Sequence, residues 1–249
     1  MPTSSYLYLI DPLLAADRRN EEMLIELEKT AVELGIQGPW IRLSPIKTIQ
    51  DALSTRKNDN VQTIVGIGGD GFFSELLDYV CDQPRTLGFI PLGDESRFAK
   101  ILGLPAGRSA AGTIAQRLVA NIDCGKINQR YFFSSAFIPP AYSVFINRQF
   151  RLYCEPAMFF RVTNIETENP KRFTGHLTLQ ILQPSKGLWI AKQEECGRFF
   201  VTDIRVEGTG AETIIADEKK TFKPPVEIRI APKALRVIVG KNRNHFLGE

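Results

Sequence analysis

The sequence predicts an α/β amino-terminal domain with a mostly parallel sheet, residues 1–121, followed by an all-β antiparallel sandwich, residues 122–249. Three observations carry this reading. Strand and helix signals alternate through the first half, the pattern of a parallel sheet covered by helices. After Asn121 the helical periods stop, and strand-length runs rich in aromatic and β-branched residues follow one another between Gly, Pro and Asn turns. Two strands of the first half end in glycine-containing turns that feed helices, the place where open α/β sheets hold ligands.

Taken in order, YLYLI at residues 6–10 is a short buried strand. EEMLIELEKTAVELG sets Leu24, Leu27, Ala31 and Leu34 on one helical face and stops at Gly35. PWIRL is a second strand, and Ser44 with Pro45 opens a helix over PIKTIQDALSTRK as a cap followed by a first-turn proline. VQTIVGI is a third strand, FSELLDYVC a helix, LGFIPL a fourth strand, and ESRFAKILG and SAAGTIAQRLVA two further helices. In the second half QRYFFSSAFI, AYSVFINRQFRLY, FTGHLTLQILQ, GRFFVTDIRVEG, ETIIADE, VEIRI and ALRVIV read as strands of a sandwich. The last residues, GKNRNHFLGE, either fray or dock back on the first domain.

Composition narrows the class of partner. A formal charge of +3 arises from 31 basic and 28 acidic residues, so no large basic face and no nucleic-acid partner is implied, while mild attraction to anionic ligands or a lipid surface remains open. Cys81, Cys124, Cys154 and Cys196 are widely spaced and accompanied by two histidines, His176 and His245, which is neither a zinc pattern nor a disulfide frame. His176 sits in an alternating run and reads as an ordinary strand residue. The apolar run YFFSSAFIPPAYSVFI is broken by Pro139 and Pro140 and falls short of a membrane span. These features predict a cytoplasmic protein whose oligomeric state is open.

The stretch TIVGIGGDGFFSELL, residues 63–77, places one acid, Asp70, among Gly66, Gly68, Gly69 and Gly71. Glycines let a backbone approach phosphate, and the free amides at a helix start add donors and partial positive charge. A carboxylate in that setting repels phosphate, so its work is to hold a divalent metal or to orient a hydroxyl. Asp70 as a simple helix cap is the structural alternative.

A second loop of similar form, LGFIPLGDESRFAKILGLP, follows one strand later, then IDCGKINQRYFFSSAFI, and near the end IIADEKKTFKPPVEIRIAPKALRVIV. Together these segments resemble the diacylglycerol kinase catalytic-domain family, which includes bacterial lipid kinases and sphingosine kinases and is distantly related to NAD kinases and phosphofructokinases. The family carries G-G-D-G-T after a strand, then P-L-G-T-x-N-D-F-A, then V-D-L-G-x-V-N-G-R-Y-F, and a late D-G-E ahead of P-x-E-I-x-V-x-P-x-A-L-R-V-I-V. The matching residues here are Gly68-Gly69-Asp70-Gly71, Pro91-Leu92-Gly93 with Phe98-Ala99, Ile122 to Asn128 with Tyr131-Phe132, and Glu218 with Pro225 to Val239.

The resemblance implies an ATP- and magnesium-dependent kinase that phosphorylates a lipid or lipid-like hydroxyl of the diacylglycerol or sphingoid class in a cleft between the domains. It implies Asp70 and Glu218 as catalytic residues, Asp70 orienting metal or phosphate and Glu218 acting as acceptor base. It implies a nucleotide site of Asp11, Gly68, Gly69, Gly71, Phe72, Phe73, Ser74, Gly93, Asp94 and Ser96, with backbone amides of 68–74 as a cradle. The implied partners are a nucleotide and a lipid-like small molecule.

The departures fall on the phosphate-facing positions. The threonine after G-G-D-G is Phe72; in the second loop the threonine is Asp94, Glu95 follows, the asparagine is Ser96 and the aspartate is Arg97. At an effective dielectric near 20, a carboxylate about 4 Å from a phosphate charge costs on the order of 4 kcal/mol. Asp94 and Glu95 alternatively charge the start of the following helix. Where the family has N-P and a small glycine turn, the chain has Asp11-Pro12-Leu13-Leu14; the late triplet reads Ala216-Asp217-Glu218 unless its register shifts by one. Asp217 to Lys220 reads equally as a solvated hairpin tip. The second functional class consistent with these changes is a pseudokinase that keeps the fold and binds or regulates.

Overall fold

Tyr6–Ile10 is buried over its whole length, because a strand with neighbours on both edges and helices on its faces has no polar side, and it forms β1. The computed structural model describes residues 5–55, 61–92, 95–140, 142–147, 149–153, 158–165, 175–184, 193–208 and 211–243. Clustering of the chain gives two units, one of residues 1–122 with 233–249 and one of residues 123–232.

In the first unit β1 is followed by α1 (Pro12–Ala15), a 3-10 turn (Arg18–Asn20), α2 (Glu21–Glu33), β2 (Trp40–Arg42), α3 (Ile49–Leu53), β3 (Thr63–Gly68), α4 (Asp70–Val80), β4 (Thr86–Pro91), α5 (Arg97–Leu102) and α6 (Arg108–Gln116). The strands pair in parallel in the order β2-β1-β3-β4. The parallel sheet and its helices agree with the α/β reading. Leu24, Leu27 and Ala31 of α2 pack on Tyr8, Ile10, Val65 and Ile67. The Tyr8 hydroxyl donates to the Ile36 carbonyl at 2.6 Å, and burial pushes its pKa well up.

Several boundaries differ from the sequence reading, each for a local reason. Leu34 is exposed, because α2 ends at Glu33 and Gly35 follows in the left-handed region at φ +70°. The third helix starts at Ile49 instead of at Pro45. Thr48 and Asp51 form a reciprocal capping box, and the hydroxyl and amide of Thr48 hold the Asp51 carboxyl below its usual value. Ser44 instead pairs with Lys47 in a turn. The last helix stops at Gln116, where Arg117 takes φ +50°, and Val119 onward is strand.

The second unit is built from β5 (Val119–Ile127), β6 (Arg130–Phe132), β7 (Ser135–Ile138), β8 (Ser143–Ile146), β9 (Phe150–Tyr153), β10 (Phe159–Thr163), β11 (Leu177–Pro184), β12 (Gln193–Val201), β13 (Asp203–Glu207), β14 (Ile214–Ala216), β15 (Lys220–Phe222) and β16 (Val226–Ile238). β5 begins in the first unit, and the last residues of β16 belong to that unit, where Val237 pairs in parallel with Leu87. The strands of the second unit pair antiparallel, in the orders β16-β13-β8-β9 and β12-β11-β10-β7-β14-β15. Val144, Ile146, Ile204, Val206 and Ile228 of the first set share one core with Ala136, Ile138, Phe160, Val162, Leu177 and Leu179 of the second. Two antiparallel sheets joined by one core make the expected sandwich. The sequence reading has no strand at β5, β10 or β15.

Gly125 shows how tightly this unit is packed. It pairs with Phe132 across β5 and β6, and a Cβ on Gly125 would overlap the fully buried Phe132 ring. Gly125→Ala is expected to destabilise the protein by about 1–3 kcal/mol, the usual penalty for overpacking a core. Urea unfolding checks this, and adding Phe132→Leu should recover part of the loss.

Candidate functional site

Gly68 ends β3 and Gly69 precedes α4 in an extended conformation, φ −96° and ψ 178°. The two glycines do different work. A Cβ on Gly68 would stand 2.8 Å from Phe72 Cδ1 and 2.9 Å from the Cβ of Asp11, so only glycine lets β3 pass this close to the loop after β1. A Cβ on Gly69 meets nothing within 4 Å, which leaves open space over the first turn of α4. First-turn amides have no intrahelical acceptor, and those of Asp70 and Gly71 find none among the described residues. The amides of Phe72 and Phe73 donate to the Gly69 carbonyl at 3.1 and 3.0 Å. The expected cradle of 68–74 therefore narrows to its first residues.

Asp70 is the first residue of α4, yet its carboxylate serves the next helix. Oδ1 accepts from the Ser96 hydroxyl, and Oδ2 accepts from the Arg97 amide at 2.9 Å, with the Phe98 amide 3.4 Å from both oxygens. Ser96 also accepts from the Ala99 amide at 3.0 Å as the N-cap of α5. The Arg97 Nε lies 3.9 Å from Asp70 Oδ2, and the Arg97 side chain is 46% exposed against 19% for Asp70. An apolar contact reinforces this junction: Phe73 of α4 meets Phe89 of β4 and Phe98 of α5 edge-on, with centroids 5.0 and 5.6 Å apart. Asp70 makes no capping hydrogen bond to α4, whose N-cap is Gly69, and its carboxylate instead accepts from the start of α5.

The other expected nucleotide residues are placed as follows. Asp11 is buried, and its Oδ1 accepts from the Leu13 amide at 2.9 Å, capping α1 where the family has a glycine turn. The side chains of Phe72, Phe73 and Ser74 are buried. The cause is the periodicity of α4, which turns this stretch onto the sheet: Phe72 packs beneath Gly66 and Gly68. Glu95 is exposed, and Gly93 and Asp94 lie outside the described residues.

In the second unit Asp217 and Glu218 form the tip of the β14–β15 hairpin. The Lys219 amide donates to the Ala216 carbonyl at 3.1 Å, and Asp217 and Glu218 have φ of +49° and +59°. Positive φ at both central residues defines a type I′ turn, whose favoured pair is Asn-Gly or Asp-Gly. Glu218 therefore does not supply the glycine that a type I′ turn favours at its second central position. Nor is the tip solvated throughout, since Asp217 and Lys220 are buried while Glu218 and Lys219 are exposed. Both Asp217 oxygens accept backbone amides, from Phe133 and Ser134 at 2.8 Å each. The clamping role of Asp217 was not anticipated, although an aspartate opening a two-residue turn between strand runs is the signal for it.

Magnesium takes near-octahedral oxygens, usually one or two carboxylates with phosphates and water. At Asp70 both oxygens are engaged by the end of α5 and a guanidinium stands alongside. Among the described residues no group of three or more His, Cys, Asp or Glu is placed to hold a metal. This donor set fits a helix end and an arginine; it does not fit a magnesium ion held by the protein.

Comparison with known proteins identifies relatives of this arrangement. Residues 14–127 match the family model "Diacylglycerol kinase catalytic domain". The chain is 31% identical over 118 residues to a diacylglycerol kinase of Staphylococcus saprophyticus, covering 46% of the chain and 37% of that protein. It is 36% identical over 77 residues to a diacylglycerol kinase of Bacillus subtilis, covering 29% and 25%. The matched stretch thus spans between a quarter and little more than a third of these curated relatives. A crystal structure of a diacylglycerol kinase from Bacillus anthracis superposes with a TM-score of 0.75 at 16% identity, over 97% of this chain and 99% of that one, a likeness of fold. Among the described residues no helix is long and apolar enough to cross a membrane.

The two loop glycines should separate in mutagenesis. Gly68→Ala is expected to cost about 1–3 kcal/mol through its clash with Asp11 and Phe72. Gly69→Ala should stay within about 0.5 kcal/mol, as surface changes do. Thermal and urea unfolding of both variants checks the contrast.

Proposed function

From the match of residues 14–127 to the diacylglycerol kinase catalytic domain, we propose that the chain transfers the γ-phosphoryl group of ATP to a lipid or lipid-like hydroxyl of the diacylglycerol or sphingoid class. The observation that carries this reading is the open first turn of α4, where the amides of Asp70 and Gly71 have no acceptor among the described residues, beside the uncrowded Gly69. Such a helix start is suited to phosphate oxygens. Asp70 in this reading orients the loop around the nucleotide through its hold on Ser96 and Arg97, and Asp11 supports the loop at Gly68.

Glu218 is the acceptor base in this proposal. Of the two acids at the hairpin tip it is the exposed one, while the oxygens of Asp217 are taken by amides. As the acceptor oxygen forms its bond to the γ-phosphorus, the bond to the leaving ADP oxygen breaks and the acceptor proton passes to the Glu218 carboxylate. The strained position supports a functional reading: a left-handed glutamate where glycine suits the turn costs on the order of 1 kcal/mol, and strain of this kind gathers at working sites.

One observation favours the pseudokinase reading, namely the engagement of both Asp70 oxygens within the protein. Turnover separates the two. With ATP and dispersed diacylglycerol or sphingosine, the wild type should form phosphorylated lipid, and Asp70→Ala should not. Glu218→Gln is expected to lower kcat by about 100-fold or more, the scale of a lost general base. Glu218→Gly should raise stability by about 1 kcal/mol while losing turnover. Wild-type turnover no greater than that of Asp70→Ala, with no ATP binding by calorimetry, would sink the kinase reading and leave the pseudokinase.

A further inference from the structure

Arg97 occupies a place with a consequence for how the loop treats charge. It opens α5, its Nε is 3.9 Å from Asp70 Oδ2, and its own amide donates to the same oxygen at 2.9 Å. A residue that touches one carboxylate oxygen from both backbone and side chain is tied to it through a single short linkage. The remaining oxygen takes the Ser96 hydroxyl. A carboxylate in that condition has its negative charge balanced by protein groups: one guanidinium, two amides and one hydroxyl. A divalent cation would have to displace the Ser96 or Arg97 donors and then stand beside a guanidinium. Like charges at that separation repel whether or not the cation keeps its waters.

The same geometry serves an anion. The Arg97 side chain is 46% exposed at the junction of two loops whose other feature is the pair of first-turn amides at Asp70 and Gly71. The positive charge of arginine persists at every working pH, and its planar fork matches phosphate oxygens. Helix amides and a guanidinium beside a carboxylate already engaged by protein donors oppose the charge of the exposed Glu95 and offer phosphate a place without a bridging metal.

We infer that Arg97 fills the charge-balancing place at Asp70 that a divalent cation would otherwise take, so that nucleotide phosphate binds this loop without needing magnesium. The inference rests on the kinase reading for the identity of the ligand; the pairing of Arg97 with Asp70 stands independently of it. It also assigns a specificity role to Arg97, because at this position an aspartate would recreate a pair of facing carboxylates able to share a cation.

Calorimetry with ATP, in EDTA and in excess magnesium, tests it on the wild type, Arg97→Ala and Arg97→Asp, alongside a thermal-shift titration with magnesium alone. The wild type should bind ATP within threefold under the two conditions, and magnesium alone should not shift its Tm. Arg97→Ala should weaken binding in EDTA by tenfold or more. Arg97→Asp should lose binding in EDTA, regain it with magnesium, and show a Tm that rises with magnesium alone. Wild-type binding tightened tenfold or more by magnesium would overturn the inference, as would an Arg97→Ala protein unchanged in EDTA. A magnesium-dependent Tm in the wild type that disappears in Asp70→Asn would overturn it equally. If ATP fails to bind under either condition, the kinase reading fails by itself, and the magnesium titrations of wild type and Arg97→Asp still decide the role of Arg97.

Discussion

The carboxylate of Asp70 ties the loop after β3 to the loop after β4. Through Ser96 and Arg97 it holds the start of α5, and Phe73 against Phe98 closes the same junction from the apolar side. Parallel neighbouring strands bring their following loops to the same sheet end, and β3 and β4 run in register from Thr63 opposite Thr86 to Gly68 opposite Pro91. The sheet thus brings the loops together, and Asp70 with its partners sets their spacing. A glycine-rich loop alone would be free to vary; this one is fixed at Gly68 by contact with Asp11, at Asp70 by hydrogen bonds and at Phe73 by ring packing.

The sequence made the architecture legible where one period dominated. The face of Leu24, Leu27 and Ala31, the unbroken apolar strand YLYLI and the alternating strands of the second unit all fold as their spacing suggests. It failed where two periods overlapped or where a special conformation ended an element. RSAAGTIAQ is helical by spacing, but nothing in Arg117 announces a left-handed stop, since most such stops are glycine. Pro45 imitates a helix start, while the true start depends on a reciprocal pair, Thr48 and Asp51, three positions on. β10 is FFRVT, a five-residue run too short for alternation to mark it, and its strand character comes from neighbours on both edges, β7 and β11.

The candidate site was legible by residue type and much less by role. The glycine turn and Asp70 stand out in any reading, but that Asp70 caps a helix twenty-six residues away depends on the parallel pairing of β3 with β4. Asp217 and Glu218 are adjacent acids with opposite fates, one buried as a backbone clamp and one exposed. The turn type separates them: a type I′ tip fixes both residues left-handed and aims successive side chains apart, and sequence spacing carries no record of that.

The substitution of Phe72 for the family threonine can be followed through the packing. The phenyl ring turns inward, 1% exposed, and lies under the glycines of β3. That inward position requires room at Gly68, where a Cβ would come 2.8 Å from Phe72 Cδ1, whereas Gly66 makes room for Leu76, whose Cδ1 would stand 2.3 Å from a Cβ there. Gly68 thus accommodates the ring as well as the approach of Asp11, and the loop exchanges a polar donor for added core. Arg97 restores positive character at the loop surface on the far side of Asp70. In the proposed site the two departures therefore act in one direction, leaving phosphate to the first amides of α4 and to the arginine of α5.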